Sequence, residues 1–418
     1  YDQQDNYTVN QFSPDRLVSQ DDWSDLTRVK SAPAIDIERL HSHRLARLRS
    51  CIQETGAAMC LLVNPVSLQY SVDYRAYALF QSHIPTAYLF VPVDGPVVIH
   101  GALDSAPMAD EFRKAWPISY FDGATELESN AKKLARDVVN YLKEIGTDNR
   151  RVAVEYVNPS ITQALEAAGL EVIDGVLASE NARVIKSEDE INCIRWAIAV
   201  AEHGIAKLKT AVHAGVTETQ LWGLLNYANL ANNGDWHDGR MLASGPRINP
   251  WMQEATLRRV ESGDLVGFDT DMVGPQGYCA DISRTVHCGP AMPTKRQKEL
   301  YRLALDEIEH NLQLIRPGIT LDAFQQQAFV PPEAFHQNAY TCVIHGVGMC
   351  DEYPRVNPIF RGPNPYSGTL EAGMIICVES YMGAVGEHDG VKLEQQVLIT
   401  SDGYEMLSSD PLEPSLLD

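Results

Sequence analysis

From Ile35 onward, apolar and polar positions alternate between helix-like and strand-like spacing. AIDIERLHSHRLARLRSCIQETG spaces its apolar residues as a helix does, and AAMCLLV, which follows, is the short unbroken apolar run of a buried strand. AYLFVPV and GPVVIH read as two strands joined by a turn at Asp94-Gly95. In NAKKLARDVVNYLKEIG, Leu134, Val138, Tyr141, Leu142 and Ile145 fall on one helical face, and Gly146 ends the helix. VAVEYV adds a strand and ITQALEAAG a short helix. This alternation predicts an α/β domain of about 150 residues in the N-terminal half.

The pattern changes near Val184–Ile185. Ser187 and Glu190 form a capping-box pair that opens a helix, with Ile191, Ile194, Ile198 and Ile205 as its apolar stripe. Thr217 and Gln220 repeat that pair ahead of Leu221, Leu224 and Leu225. Beyond them lie strand-like runs, Gly and Pro turns, and one long helix, KRQKELYRLALDEIEHNLQLI, stopped by Pro317-Gly318. The expected division is an N-terminal arm over 1–35, an α/β domain over 36–185 and an α+β domain over 186–418.

Composition narrows the function classes. At 418 residues the chain exceeds what one hydrophobic core usually serves, in keeping with two domains. A net charge of −22 argues against nucleic acid or an anionic membrane as partner and says little about the small-molecule substrate that the chemistry below implies. The eight cysteines form no C-x-x-C pair, which argues against a zinc knuckle or dithiol redox site and points to reduced thiols in a cytoplasmic protein. No apolar run reaches the roughly 18 residues that span a bilayer, and YDQQDNYTVNQF lacks the apolar stretch of a signal peptide.

Candidate chemistry collects in the C-terminal half. Leu265 to Val273 reads as one strand, so Asp269 and Asp271, two apart, point to the same face. Two neighbouring carboxylates in a partly buried strand repel unless a cation lies near them. Asp281 follows ten residues later, after a Gly-containing turn that a paired strand would bring back. Glu379 closes the apolar strand MIICVE, Glu394 lies in VKLEQQVLIT, and His345 in VIHGVGMC, where two glycines allow close backbone approach. A single Asp or Glu is ordinarily solvated. Several carboxylates with one imidazole suit two hard or borderline divalent ions such as Fe, Mn, Co or Zn.

At these segments the sequence resembles the M24 metallopeptidase superfamily, which includes methionine aminopeptidases, Xaa-Pro peptidases and creatinase. GYCADISRT is similar to its second-aspartate segment, IHGVGMCDEYP to its histidine loop, and MIICVES and VKLEQQVLI to its two glutamate strands. The resemblance implies a C-terminal pita-bread domain behind a smaller creatinase-type α/β domain, hence an α+β fold. It implies a homodimer, and it places the usual five metal ligands on Asp271, Asp281, His345, Glu379 and Glu394.

The chain departs from the peptidase pattern in ways that matter. One residue fewer separates Asp271 from Asp281, and an additional aspartate, Asp269, stands in FDTD. ASGPRINPW has Trp251 where Xaa-Pro peptidases have a histidine, and Asp351 precedes Glu352-Tyr353-Pro354 where they have another. LASGPRINPW, FDTD, DISRT and HGVGMCDE resemble instead the M24-type dimethylsulfoniopropionate (DMSP) lyases. That branch implies six ligands, on Asp269, Asp271, Asp281, His345, Glu379 and Glu394, holding two divalent ions. Iron is the first expectation, with Mn, Zn or Co as alternatives. It implies Asp351 as catalytic base and Tyr340 as an active-site aromatic. Where the branch has a pocket tryptophan, ALFQSHIP offers Phe80.

The implied reaction is metal-dependent β-elimination of DMSP to dimethyl sulfide and acrylate. Asp351 serves as base if an apolar surround or neighbouring carboxylates raise its pKa. Trp251 would close the substrate pocket or else pack in the core, and Arg284 would pair with a ligand carboxylate or lie in a surface ion pair. The rival expectation is a metallohydrolase of the Xaa-Pro dipeptidase kind. A third, a binding protein on the peptidase scaffold, sits poorly with a full ligand set.

Overall fold

The computed structural model describes residues 33–101 and 105–417. The expected arm falls almost wholly on 1–32, outside the described residues. The chain divides into two compact units, Asp36–Arg183 and Val184–Asp418.

In the first unit a six-stranded sheet runs β4-β3-β2-β1-β5-β6. Its strands are β1 (Met59–Leu62), β2 (Tyr88–Pro92), β3 (Val98–His100), β4 (Glu111–Arg113), β5 (Arg151–Val154) and β6 (Glu171–Asp174). β1 pairs antiparallel with β2 and parallel with β5. β2 and β3 form the antiparallel pair expected around Asp94-Gly95, but residues 93–97 connect them, a loop longer than a two-residue turn. Gly95 takes φ 121°, which a side chain would resist. The helix Leu127–Glu144 buries Leu134, Val138, Tyr141 and Leu142, and these pack with Met59, Leu61, Phe90 and Val152 of the sheet. Buried Glu155, just past β5, accepts from the backbone N–H of Val63 and Asn64 and from the hydroxyls of Ser67 and Ser179. One carboxylate thereby ties the ends of β1 and β5 together.

The second unit opens with the helices Glu188–Ala211 and Glu218–Ala231, each closed at its start by the expected capping box, on Ser187/Glu190 and Thr217/Gln220. Three sheets follow: β11-β10-β7, β12-β9-β8 and β14-β13-β15-β16-β17. The strands are β7 (Trp236–His237), β8 (Leu242–Ser244), β9 (Leu265–Asp269), β10 (Met272–Val273), β11 (Cys279–Ala280) and β12 (Ser283–His287). The five-stranded sheet comprises β13 (Ile344–Val347), β14 (Asp351–Val356), β15 (Ile375–Met382), β16 (Val391–Ile399) and β17 (Tyr404–Met406). The long helix Lys295–Leu312 places Leu300, Tyr301, Ala304 and Ile308 in one core with Ile376, Val378, Leu393 and Val397 of β15 and β16.

Two expectations are corrected. Leu265–Val273 is not one strand. It breaks after Asp269, and Asp271 takes φ 37°, in the left-handed region that Asp tolerates better than most residues. β9 and β10 then belong to different sheets. Glu379 does not end its strand; β15 continues to Met382 with every residue buried. Among the described residues, no helix is long and apolar enough to cross a membrane.

Candidate metal centre

The break at Thr270–Asp271 assembles one side of the centre. β10 pairs with β11 through Met272 and Ala280, while β12 pairs with β9 through Ser283 and Asp269. Asp281 lies between those two pairings. Buried Thr270 clips the crossing: its hydroxyl donates to the Ala280 carbonyl at 2.7 Å and accepts from Ile282 N–H at 3.0 Å. Asp269, Asp271 and Asp281 thus converge, each offering an oxygen within 4.8 Å of the others. The aspartates meet through a change of sheet, not through strand alternation.

The five-stranded sheet supplies the other side. Glu379 and Glu394 stand directly opposite each other on β15 and β16. Like charges in that position destabilise a sheet unless something positive lies between them. His345 sits at an irregularity in β13, where the register shifts between His345 and Gly346. Gly346 is required there: a Cβ would lie 2.3 Å from the Tyr353 carbonyl oxygen. Nε2 of His345 lies 3.2 Å from Glu379 Oε1, and 3.7 Å from both Asp281 Oδ2 and Glu394 Oε1.

The structure therefore brings all six expected ligands together. Asp269, Asp281, His345, Glu379 and Glu394 are buried. Burial, then the neighbouring carboxylates, pushes Asp271 and Asp281 well above the usual carboxylate range. Burial and Glu394 lift Glu379 to about 8. Burial opposes charge on His345, but Glu379 and Glu394 outweigh it and hold the imidazole well above its ordinary value. Burial would raise Glu394 too, yet Lys392 and His345 hold it low. Oδ1 of Asp269, Oδ1 of Asp281 and Oε1 of Glu394 are buried without a hydrogen-bond partner. Buried carboxylate oxygens left bare are costly unless a cation meets them, so the donor set fits divalent metal.

Lys392 and Cys377 were missed in the sequence. Lys392 is fully buried, with Nζ 2.5 Å from Glu379 Oε2 and 3.0 Å from Asp269 Oδ2. Its signal was legible: VKLE puts Lys392 two residues before Glu394, hence on the same strand face. Cys377, opposite His345 on β15, places its sulfur within 4.8 Å of donor atoms of Asp281, His345 and Glu394.

The remaining expected residues are placed as follows. Asp351 starts β14, with Oδ1 3.5 Å from His345 Nδ1. Its side chain is 77% exposed, so the apolar surround expected of the base is absent among the described residues. The Lys392 ammonium lies 4.4 Å from the centre of the half-buried Tyr340 ring. Trp251 is buried in the core beside Tyr381, its indole packed where a Cβ on Gly267 would come within 3.1 Å. Phe80 belongs to the first unit, where it meets Tyr77 and Phe121 edge to face at 5.9 and 6.0 Å. Arg284 is neither a surface residue nor a partner of a ligand carboxylate. It is buried, bonding the Glu394 backbone carbonyl at 2.7 Å and pairing with Asp410 at 3.2 Å.

Comparison with known proteins supplies independent findings. The model of metallopeptidase family M24 matches residues 192–401. The dimethylsulfoniopropionate lyase DddP of Roseovarius nubinhibens is 35% identical over 91% of this chain and 88% of its own length. The DddP of Roseobacter denitrificans is 33% identical over the same shares. Among solved structures, an Xaa-Pro dipeptidase from Bacillus anthracis aligns with a TM-score of 0.71 at 22% identity, covering 89% of this chain and 99% of that one. That likeness shows the fold, the pita-bread architecture expected from the sequence.

Proposed function

The chain belongs to metallopeptidase family M24, and from that premise we propose that it is a metal-dependent DMSP lyase, forming dimethyl sulfide and acrylate by β-elimination. The observation that carries this reading is the 35% identity, over 91% of the chain, to a relative named as such a lyase. The centre supports it. Asp269 stands among the converging carboxylates, and Trp251 and Asp351 replace the two histidines of an Xaa-Pro peptidase.

Asp269, Asp271, Asp281, His345, Glu379 and Glu394 would hold two divalent ions. Iron is the first candidate; Mn, Zn and Co also suit this mixed oxygen and nitrogen set. Bound there, the ions would neutralise the substrate carboxylate and stabilise enolate-like charge. Asp351 removes the α-proton of DMSP, and its exposed carboxylate can reach an incoming substrate. The Cα–H electrons become the Cα–Cβ double bond as the Cβ–S bond breaks. Dimethyl sulfide leaves neutral, acrylate forms, and the proton rests on Asp351. Tyr340 orients the substrate. Lys392 occupies one face of its ring, so a sulfonium would meet the other. Trp251, its ring centroid 6.0 Å from the Lys392 ammonium, is the second aromatic that the proposal gives to the substrate side of the centre. A homodimer and a cytoplasmic location belong to this proposal; light scattering of the purified protein tests the first.

A second reading, hydrolysis of Xaa-Pro dipeptides, is favoured by the fold shared with the Bacillus anthracis enzyme. Headspace chromatography separates the two. DMSP should yield dimethyl sulfide and acrylate in equal amounts, with no cleavage of Xaa-Pro dipeptides. Dipeptide cleavage without sulfide would overturn the lyase.

A further inference from the structure

The buried ammonium of Lys392 sorts carboxylate oxygens. An ammonium has three N–H donors. Three acceptors lie within reach of this one: Glu379 Oε2 at 2.5 Å, Ser283 Oγ at 2.6 Å and Asp269 Oδ2 at 3.0 Å. The Ser283 hydroxyl accepts from Lys392 and donates onward to Glu394 Oε2 at 2.8 Å. One oxygen of each of three carboxylates is thereby fixed to the same ammonium–hydroxyl pair. The other oxygens remain available. Oδ1 of Asp269 and Oε1 of Glu394 are buried without a partner, and Oε1 of Glu379 turns toward His345. Each of Asp269, Glu379 and Glu394 brings an oxygen within 4.8 Å of the other two, and Asp269 does so with Asp271 and Asp281 as well.

We propose that Lys392 is a positioning residue that, with Ser283, turns Asp269, Glu379 and Glu394 into one-oxygen ligands of the metal centre. The proposal rests on the metal-centre reading above and adds to it. Asp269, the ligand beyond the usual peptidase five, depends on this lysine to hold its outer oxygen. Hydrogen bonds to Glu379 and Ser283 and an ion pair with Asp269 engage the ammonium, so its effect passes through the carboxylates.

Charge and positioning predict opposite results, which makes the proposal testable. Removing a nearby positive charge would by itself tighten binding of a divalent cation. Removing a group that orients ligands weakens it, typically 10–100-fold. The test is cobalt(II) titration of metal-free protein by calorimetry, with bound metal counted by mass spectrometry. Wild-type protein should bind two ions. Lys392→Met should weaken binding of at least one of the two ions by about tenfold or more. Ser283→Ala alters no charge and covers the case in which Lys392→Met does not fold; it too should weaken binding. Two-ion binding of wild-type strength or tighter in Lys392→Met, or in Ser283→Ala should the lysine variant not fold, would overturn the proposal and leave the metal centre standing. Fewer than two ions on the wild-type protein would overturn the dinuclear reading itself.

Discussion

Asp351 carries the sharpest residue-scale question, because its position permits two roles. It lies 3.5 Å from His345 Nδ1, the arrangement in which a carboxylate orients a metal-bound imidazole, and it is also exposed, as a base meeting substrate must be. The two roles predict different losses. As the base, Asp351→Ala should lower kcat for DMSP by about 10²–10⁴-fold and leave cobalt affinity unchanged. As an orienting residue, it should weaken cobalt binding about 10–100-fold, with activity restored by excess metal. We expect the first pattern, and activity recovered by added metal would reassign the residue. The neighbourhood of His345 was legible in the sequence because glycines and acids cluster in HGVGMCDE. The exposure of Asp351 was not, since exposure depends on what packs around β14. Lys392 was legible in principle from the two-residue period of VKLE, but a lysine in a strand reads as solvated unless the strand is known to be buried on both faces.

At the scale of elements, local signals that need only neighbouring residues were read well. The capping boxes at Ser187 and Thr217 and the buried stripe of Leu127–Glu144 stand where the pattern put them. The failure at Leu265–Val273 has a physical cause. Its apolar content is continuous, but the polypeptide changes sheets at Thr270, and only the Thr270 clip and the φ of Asp271 reveal it. Periodicity records which faces are buried, not where hydrogen bonding passes from one sheet to another. A second irregularity is more readily tested. At Gly346 a methyl group would lie 2.3 Å from the Tyr353 carbonyl and 2.8 Å from that of Glu352, both backbone atoms that cannot swing away. Gly346→Ala must therefore move β13 against β14, and His345 with it. The expected outcome is a folded protein with cobalt binding weakened at least about tenfold and correspondingly poor turnover. Wild-type metal affinity in this variant would show that the bulge tolerates a side chain and that His345 is held by other means.

For the whole molecule, the metal-free and metal-loaded states should respond to pH in opposite ways. Asp269, Asp271, Asp281 and Glu379 have folded pKa values above their ordinary ones, Glu379 at about 8, and His345 is raised as well. A raised value means that the fold favours the protonated form. The stability these groups contribute to the metal-free protein is fully present below their unfolded values and is lost as pH rises through the folded ones. For Glu379 that window runs from about 4.5 to about 8. Glu394 has the reverse sign, and its contribution is lost only as pH falls below the ordinary carboxylate range. The metal-free protein should therefore melt at progressively lower temperature between pH 6 and 8. Metal reverses the trend, because ions must displace the same protons and bind more tightly as those protons become scarce. One net proton released changes binding by about 1.4 kcal/mol per pH unit, and a unit of this size shifts by about 2–4 °C per kcal/mol. The gap in melting temperature between cobalt-loaded and metal-free protein should thus widen by about 5 °C or more from pH 6 to pH 8. Calorimetric scans at fixed cobalt concentration measure it. A gap independent of pH would mean that the buried carboxylates are already ionised without metal, and the bare oxygens of Asp269, Asp281 and Glu394 would then need a different counterion.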